Sequence, residues 1–322
     1  MANDRAPRVC VLAPTPLLTV TVEPANGPDG PPEVHVHAGG QGLWVARMAA
    51  SLGADVVLCG PFGGEIGVIA AHLAVNERLA VRATGYAGGN GVYVHDRRGG
   101  ERAEVAATPP GPLDRHELDD LYGTALVEAM DSDVTVITGS DPAEILPAWF
   151  VEHLARDLRA AGRTVVADLS GEAAKTFVAA GGTVLKISHE ELLDAGLAES
   201  DAPSDLRAAA ERLIDGPLGA VVVSRAGRPS LVVAQDDAVE VVPPRVSVVD
   251  HRGAGDSMTA GIAVGLGRGL DLEEAVRLGA AAGALNVTRH GLGTGQADQI
   301  ERFARQVRVR RPGPDPTPSP TA

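Results

Sequence analysis

Short runs of β-branched apolar residues alternate along this chain with longer stretches of helical periodicity. The longer stretches have the apolar spacing of helices, and the predicted helices include 144–161, 204–215, 254–268 and 271–288. Strands that are apolar on both faces belong to a parallel sheet covered by helices on each side. The chain is therefore predicted to be α/β, with three layers and a mostly parallel central sheet. The apolar runs that carry this prediction are 133–138 (DVTVIT), 164–168 (TVVAD), 183–188 (TVLKIS) and 219–224 (GAVVVS).

Two other segments, 18–37 and 91–106, alternate apolar and polar residues, which is typical of strands with one solvated face. They do not fit the central sheet, and we predict that they form a small separate sheet, a lid over one end of it. His35 and His37 share a face of one lid strand. Metal binding and a solvated or partner-covered face both remain open for this pair.

We expect one domain over residues 1–310, while the Pro-rich stretch 311–322 (RPGPDPTPSPTA) is expected to be disordered. No apolar stretch reaches the ~18 residues that span a bilayer, and no apolar signal segment follows Met1. These features predict a cytoplasmic protein with no membrane partner. Cys10 and Cys59 each lie in an apolar strand and are expected to be buried and reduced.

The charge balance restricts the partners. The formal net charge is −14, and nucleic acid binding needs a basic field, so a nucleic acid partner is not expected. Lys175 and Lys186 are the only lysines among the 322 residues. Any cationic contact with a phosphate must therefore come mostly from arginine, whose planar fork suits bidentate binding.

The segment 251–257 (HRGAGDS), directly before a long predicted helix, is the strongest chemical signal. Gly253 and Gly255 let the backbone approach a ligand closely, and the start of the helix directs free N–H groups at one point. Such a site suits a phosphate, and Asp256 beside it could accept a proton from a hydroxyl. From the residues alone, a Gly-rich helix start with a first-turn acid and no ligand remains open and is slightly favoured. No P-loop and no G-x-G-x-x-G motif occurs.

Paired glycine motifs at both ends of the chain carry a resemblance to a known family. Residues 39–42 (GGQG) and 253–256 (GAGD), together with 168–172 (DLSGE) and 186–192 (KISHEEL), resemble the PfkB carbohydrate kinases. The nearest branch is that of 1-phosphofructokinase, tagatose-6-phosphate kinase and the minor 6-phosphofructokinase. The resemblance implies a ribokinase-like fold and an ATP-dependent phosphotransferase that acts on an alcohol group of a sugar, phosphosugar or related small molecule.

The resemblance also implies roles for individual residues. Asp256 matches the catalytic base, and Gly253, Ala254 and Gly255 match the anion hole, which also contacts the nucleotide. Gly39 and Gly40 match the loop on which the sugar lies. Ser224 matches the start of the ATP-binding segment, which continues through Ala226 and Gly227. Ser188, at the asparagine of the 186–192 motif, is also assigned to the nucleotide, and Glu191 matches an acid that organises Mg²⁺. ATP and Mg²⁺ are thus the expected cofactors, and a homodimer through the lid is the expected assembly.

Several positions depart from the family pattern, most of them in the sugar pocket. Thr19 stands where the sugar-binding aspartate is usual, and Gln41 stands where a lysine is common. Trp44 replaces an asparagine, and either stacks on a substrate ring or belongs to the core. Arg252 stands where a small residue is usual.

Two more departures concern phosphate and nucleotide. In the family, an arginine of the lid holds the substrate phosphate. In this chain that position is occupied by Gly88 or Gly89, and Arg47, Arg97 and Arg98 are the other arginines that could take its role. Ala226 replaces a glycine of the adenine segment. A catalytically silent nucleotide- or metabolite-binding protein on the same fold is the alternative function.

Overall fold

A computed structural model describes residues 5–25, 27, 30–235, 237–289 and 291–311. Its strands are β1 Arg8–Leu12, β2 Leu17–Glu23, β3 Glu33–Gly39, β4 Asp55–Pro61, β5 Ala80–Thr84, β6 Gly91–Asp96, β7 Ala103–Thr108, β8 Val134–Thr138, β9 Thr164–Asp168, β10 Val184–Ser188, β11 Ala220–Ser224, β12 Ser230–Ala234, β13 Asp237–Val242 and β14 Arg308–Arg310. Its helices are α1 Gln41–Ser51, α2 Gly64–Asn76, α3 Arg115–Met130, α4 Ala148–Ala160, α5 Gly171–Ala180, α6 His189–Asp194, α7 Pro203–Ile214, α8 Ala254–Gly267, α9 Leu272–Asn286 and α10 Ala297–Ala304.

The central sheet has the strand order β14-β13-β12-β11-β10-β9-β8-β1-β4-β5. The strands from β11 to β5 pair in parallel, whereas β12, β13 and β14 are added antiparallel at one edge. From β1 the chain builds β4 and β5 on one side and β8 to β11 on the other. The strand order therefore reverses between β1 and β8, and open α/β sheets bind ligands at the carboxyl ends of strands at such a point.

Helices cover both faces of the sheet, because its strands bury apolar side chains on each. One core joins Val11 and Val136 to α1, α8 and α9, while the other joins Leu12 and Ile137 to α3, α4 and α5. The predicted three-layer α/β fold with a mostly parallel sheet is confirmed.

A second, four-stranded sheet with the order β3-β2-β6-β7 lies beside the first turn of α1. Its register pairs Thr19 with His37 and Thr21 with His35, which places these polar side chains on one face. Val34 and Val36 lie on the opposite face and are 61% and 40% exposed. The predicted lid sheet is thus present, with one polar and one apolar face.

The elements depart from the sequence expectations in several places. The helix predicted over 144–161 begins only at Ala148, because a 3-10 turn at Ala143–Ile145 and then Pro147 precede it. Helices α5 and α10 and strand β14 had no predicted counterpart. The lid segment predicted over 91–106 is two strands separated by a turn through 97–102, and the second, β7, extends to Thr108. Arg311, at the start of the tail expected to be disordered, forms an ion pair with Asp237, and residues 312–322 lie outside the described residues.

The remaining expectations concern chemistry and topology. Cys10 and Cys59 are buried and free, with their sulfur atoms 3.9 Å apart. No helix in the described ranges is long and apolar enough to cross a membrane. The single domain over residues 1–310 stays a prediction.

Candidate active site

The site begins with two charged side chains on adjacent strands. Asp168 ends β9 and Lys186 lies beside it on β10, since the two residues are register partners. The Lys186 ammonium donates to both carboxylate oxygens of Asp168 at 3.0 and 3.1 Å, and the Thr259 hydroxyl on α8 donates to Oδ2 at 2.7 Å. Both charges are nearly inaccessible to solvent, so their geometry is fixed by the sheet and by α8.

The start of α8 lies directly against this ion pair. Gly253 caps the helix in the left-handed conformation, with φ 69°, and has no side chain to occupy the free N–H groups of the first turn. A Cβ atom on Gly255 would lie 2.8 Å from Lys186 Nζ, so a larger residue there would displace the end of the lysine side chain. The first turn therefore presents bare backbone donors beside a buried cation, which is a favourable place for an anion.

Asp256, in the same turn, is buried and lies close to both charges. Burial and the carboxylate of Asp168 raise the pKa of Asp256 to about 7, while the Lys186 ammonium and a hydrogen bond from Gln41 act in the opposite direction. Burial lowers the pKa of Lys186, but the carboxylates of Asp168, Asp256 and Glu191 outweigh it and the net shift is upward. A carboxyl group with a pKa near neutrality is suited to proton transfer at physiological pH.

Next to this cluster, a cavity of about 490 Å³ opens between the lid and the carboxyl ends of the strands. We call it the inner cavity. Gln41 accepts a hydrogen bond from the Gly139 N–H at 2.9 Å and donates to Asp256, so it connects the cavity wall to the buried acid. The inner cavity is lined by Thr15, Leu17, Thr19, Gly40, Gln41, Trp44, Tyr93, His95, Arg102, Glu104, Gly139, Ser140, Asp141, Asp168, Ser170, Glu191 and Arg252.

A second cavity of about 570 Å³, the outer cavity, lies under strands β2 and β3 and shares Thr19, Trp44 and Arg102 with the first. His35 and His37 face the outer cavity with parallel rings 6.3 Å apart. No group of three or more metal-ligating side chains occurs within the described ranges. Trp44 is half-buried at the boundary between the cavities, where its ring is available to a ligand.

The residues predicted for the sugar pocket come together. Thr19, Gly40, Gln41, Trp44 and Arg252 all line the inner cavity. Gly39 lies behind them, since a Cβ atom there would be 2.6 Å from Thr19 Oγ1. Gly40 has φ 100° and Thr15 O would be 2.6 Å from its Cβ, so only glycine fits this loop.

The residues predicted for the nucleotide lie at the ends of neighbouring strands. Ser188 and Ser224 are register partners at the carboxyl ends of β10 and β11. Ala226 adopts φ 51°, a left-handed conformation that favours glycine and agrees with the glycine expected there. Glu191 accepts from the Ser188 N–H at 2.7 Å and lines the inner cavity. Of these groups only Glu191 lines the inner cavity, while the others lie at the ends of β10 and β11.

Three arginines lie near one another beside the two cavities: Arg102 and Arg252 line the inner cavity, and Arg97, from the same lid hairpin as Arg102, lines the outer one. Arg102 precedes β7, Arg97 follows β6, and Arg252 precedes Gly253. Burial lowers the pKa of Arg102 to about 10, and the neighbouring charges of Arg252 and Arg97 add to this effect. His95, beside them, has its pKa lowered to about 4 by burial and by the same arginines, so it is neutral at physiological pH.

Comparison with known proteins places this site in a family. The model of the pfkB family carbohydrate kinase matches residues 17–299. The chain belongs to the pfkB carbohydrate kinase family. It is a sugar kinase, and the sugar kinases of this family use ATP as co-substrate.

Individual relatives agree with this assignment. The chain is 32% identical to the ATP-dependent 6-phosphofructokinase isozyme 2 of Escherichia coli (strain K12) over 291 residues, which cover 87% of this chain and 92% of the relative. It is 26% identical to the 1-phosphofructokinase of Vibrio cholerae over 276 residues, covering 85% and 86%. The solved tetrameric inhibited form of phosphofructokinase-2 from Escherichia coli superposes with a TM-score of 0.80 at 26% identity, covering 93% and 99%.

Four residues of the site were not assigned a role from the sequence: Asp168, Lys186, Arg102 and His95. The first two stand in segments that carry the family resemblance, and an acid at the end of one apolar strand with a lysine inside the next was the signal. Nothing in the sequence distinguishes Arg102 from the nearby arginines of the same hairpin.

Proposed function

We propose that this kinase transfers the γ-phosphate of ATP to a hydroxyl group of a sugar or phosphosugar, with Asp256 as general base. The observation that carries the proposal is the placement of Asp256. It is a buried carboxyl group with a pKa raised to about 7, next to bare backbone donors and joined through Gln41 to the inner cavity. A hydroxyl group bound in that cavity loses its proton to Asp256 as its oxygen bonds to the γ-phosphorus, while the bond from that phosphorus to the bridging oxygen breaks and ADP leaves.

The anion hole of this reaction is the first turn of α8. The N–H groups of Ala254 and Gly255 precede the first intrahelical bond, which runs from the Ser257 N–H to the Gly253 carbonyl, while the Asp256 N–H donates to its own carboxylate. They are oriented before any ligand binds, so they stabilise charge on the transferred phosphoryl group without reorganisation. The ammonium of Lys186 partly neutralises the buried carboxylates of Asp168 and Asp256.

The nucleotide is proposed to lie along the ends of β10 and β11, with Ser188, Ser224, Ala226 and Gly227 beside it. Mg²⁺ fits this site, because one oxygen of Glu191 accepts the Ser188 N–H and the other has no hydrogen-bond partner among the described residues. Magnesium in phosphoryl-transfer sites takes one or two carboxylates and completes its shell with water and phosphate oxygens. When bound, it would neutralise phosphate charge, and Glu191 would hold it through water.

The rival proposal, a catalytically silent binding protein on the same fold, is not favoured. Its support was the altered sugar pocket and the weakened adenine segment. The relatives are named as kinases, and the buried acid, the cation and the bare helix start are all in place.

The test is Asp256→Asn, which keeps the shape of the side chain and removes the proton acceptor. Turnover of a sugar phosphate should fall by about 10²–10⁴, while ATP affinity stays the same or rises, because a negative charge near the phosphates is lost. Steady-state kinetics and nucleotide titration measure the two quantities on one preparation. A fall in turnover of less than about tenfold would show that Asp256 is not the base.

A further inference from the structure

The inner cavity is lined by acidic side chains and by two arginines, Arg102 on the lid and Arg252 on the loop before α8. Neither side chain forms a hydrogen bond or an ion pair with a described residue, and Arg102 Nε is buried with no partner. A buried guanidinium donor without an acceptor is costly, which indicates that the site is completed by a ligand.

Other arginines nearby are already engaged. Arg47 makes a two-pronged ion pair with Glu77 and donates to two backbone carbonyl groups. Arg98 is paired with Asp96 at the exposed tip of the hairpin. The free donors at the cavity therefore belong to Arg102 and Arg252, and not to the arginines that the sequence suggested as substitutes.

The position of Arg252 is fixed by a connection to the lid. Asp250 accepts the Arg252 backbone N–H through Oδ1 at 3.0 Å and pairs through Oδ2 with the side chain of Arg97. Arg97 also lies 3.6 Å from Glu23 on β2. Through Asp250, the lid hairpin thus holds the backbone of the loop that leads into the anion hole.

We propose that Arg102 and Arg252 form a binding site for a phosphate dianion, which the acceptor sugar carries before the reaction and which bridges the lid to the loop before α8. This rests on the proposed function. The site lies apart from Gly88 and Gly89, where the family resemblance placed a phosphate contact, and neither glycine lines the cavity. The guanidinium groups of Arg102, on the lid, and Arg252, on the loop before α8, repel each other. A bound dianion removes that repulsion and draws the lid onto the body.

The first experiment needs no knowledge of the acceptor. Inorganic phosphate is titrated calorimetrically into the nucleotide-free protein and into Arg102→Met, Arg252→Met and Arg98→Met. The wild type and Arg98→Met should bind phosphate equally, and affinity should fall at least about tenfold in the other two variants, since each loses a charge-assisted contact. No binding by the wild type, or equal binding by all four proteins, overturns the proposal.

The second experiment separates phosphate on the sugar from free phosphate. Fructose 6-phosphate, fructose 1-phosphate and tagatose 6-phosphate are compared with fructose and tagatose, each with and without inorganic phosphate. Phosphorylated acceptors should be preferred, and Arg102→Met should lower kcat/KM for the phosphorylated acceptor about 10- to 100-fold while changing the parent sugar little. Faster turnover of the parent sugars, or their stimulation by inorganic phosphate to the rate of the phosphosugar, contradicts a phosphate carried by the acceptor.

These outcomes are independent of the test of the base. If Asp256→Asn retains turnover, the proposed base fails, whatever phosphate does at the arginines. If Arg102→Met binds phosphate and phosphosugar like the wild type while Asp256→Asn is inactive, the function stands and the phosphate site fails.

Discussion

At the scale of single residues, Asp256 is under two opposing demands. It must be buried to stay close to the anion hole, but burial favours its protonated form, which cannot act as a base. Lys186 resolves this conflict in part, because its ammonium lowers the pKa of Asp256 against the effects of burial and of Asp168. The pKa of about 7 is the balance of these effects, so activity should depend on pH near neutrality.

Lys186→Met tests this balance. Without the ammonium the pKa of Asp256 rises, and the acid limb of kcat/KM should move to higher pH by about 1 to 3 units. Activity should therefore be lost at pH 7 and partly recovered at pH 9. Lys175→Met, which removes the chain's other lysine at an exposed position, should leave the profile unchanged.

Since Lys186→Met also leaves Asp168 without its cation and could unfold the protein, Thr259→Val serves as a second variant. It removes the 2.7 Å hydrogen bond to Asp168 without changing charge. We expect Thr259→Val to move the acid limb much less than a lost ammonium does. An unshifted profile in folded Lys186→Met would contradict the assignment of the base.

At the scale of elements, hydrophobic periodicity predicted those strands and helices whose two faces differ in burial. The two-residue alternation of 18–37 and 91–106 gave the lid strands, because one face is polar and the other apolar. Helix α5 was not predicted, although Gly181, left-handed at φ 78°, ends it. The inward position of Arg102 could not be predicted, because the turn of the hairpin decides which of its charged residues faces the cavity.

The contact between α8 and α9 gives a prediction at this scale. A Cβ atom on Gly261 would lie 2.5 Å from the Gly279 Cα, so the two helices touch backbone to backbone. Gly261→Ala should force them apart, lower the free energy of unfolding by about 1–3 kcal/mol, and reduce kcat because α8 carries Asp256. Thermal denaturation and steady-state kinetics measure both effects.

Gly123→Ala is the matched control, since Gly123 lies in the exposed part of α3 with open space around its Cβ position. It should raise the free energy of unfolding by roughly 0.5–1 kcal/mol and leave kcat unchanged. Equal stability of the two variants would show that the close contact between α8 and α9 is not needed.

At the scale of the whole molecule, the lid leaves an apolar surface uncovered. Val34 and Val36 on β3 are 61% and 40% exposed, and Val20 and Val22 pair with them on β2. A contiguous apolar sheet face of this kind is typical of a protein–protein interface. We propose that two copies of this chain meet through their lids.

The double variant Val34→Lys, Val36→Lys tests that assembly. Two lysines on each copy would place like charges in a desolvated interface, so the dimer should dissociate while each chain stays folded. Sedimentation equilibrium should give twice the chain mass of 33.0 kDa for the wild type and a single chain mass for the variant. Val127→Lys, on α3, changes a valine that is 68% exposed and far from the lid in sequence, and should remain dimeric. A monomeric wild type, or a dimer that survives both lysines, would exclude the lid as the interface.

The polar face of the same sheet borders the inner cavity. Loss of the dimer in the double variant should therefore also raise the KM for the acceptor, whereas the KM of Val127→Lys should stay unchanged.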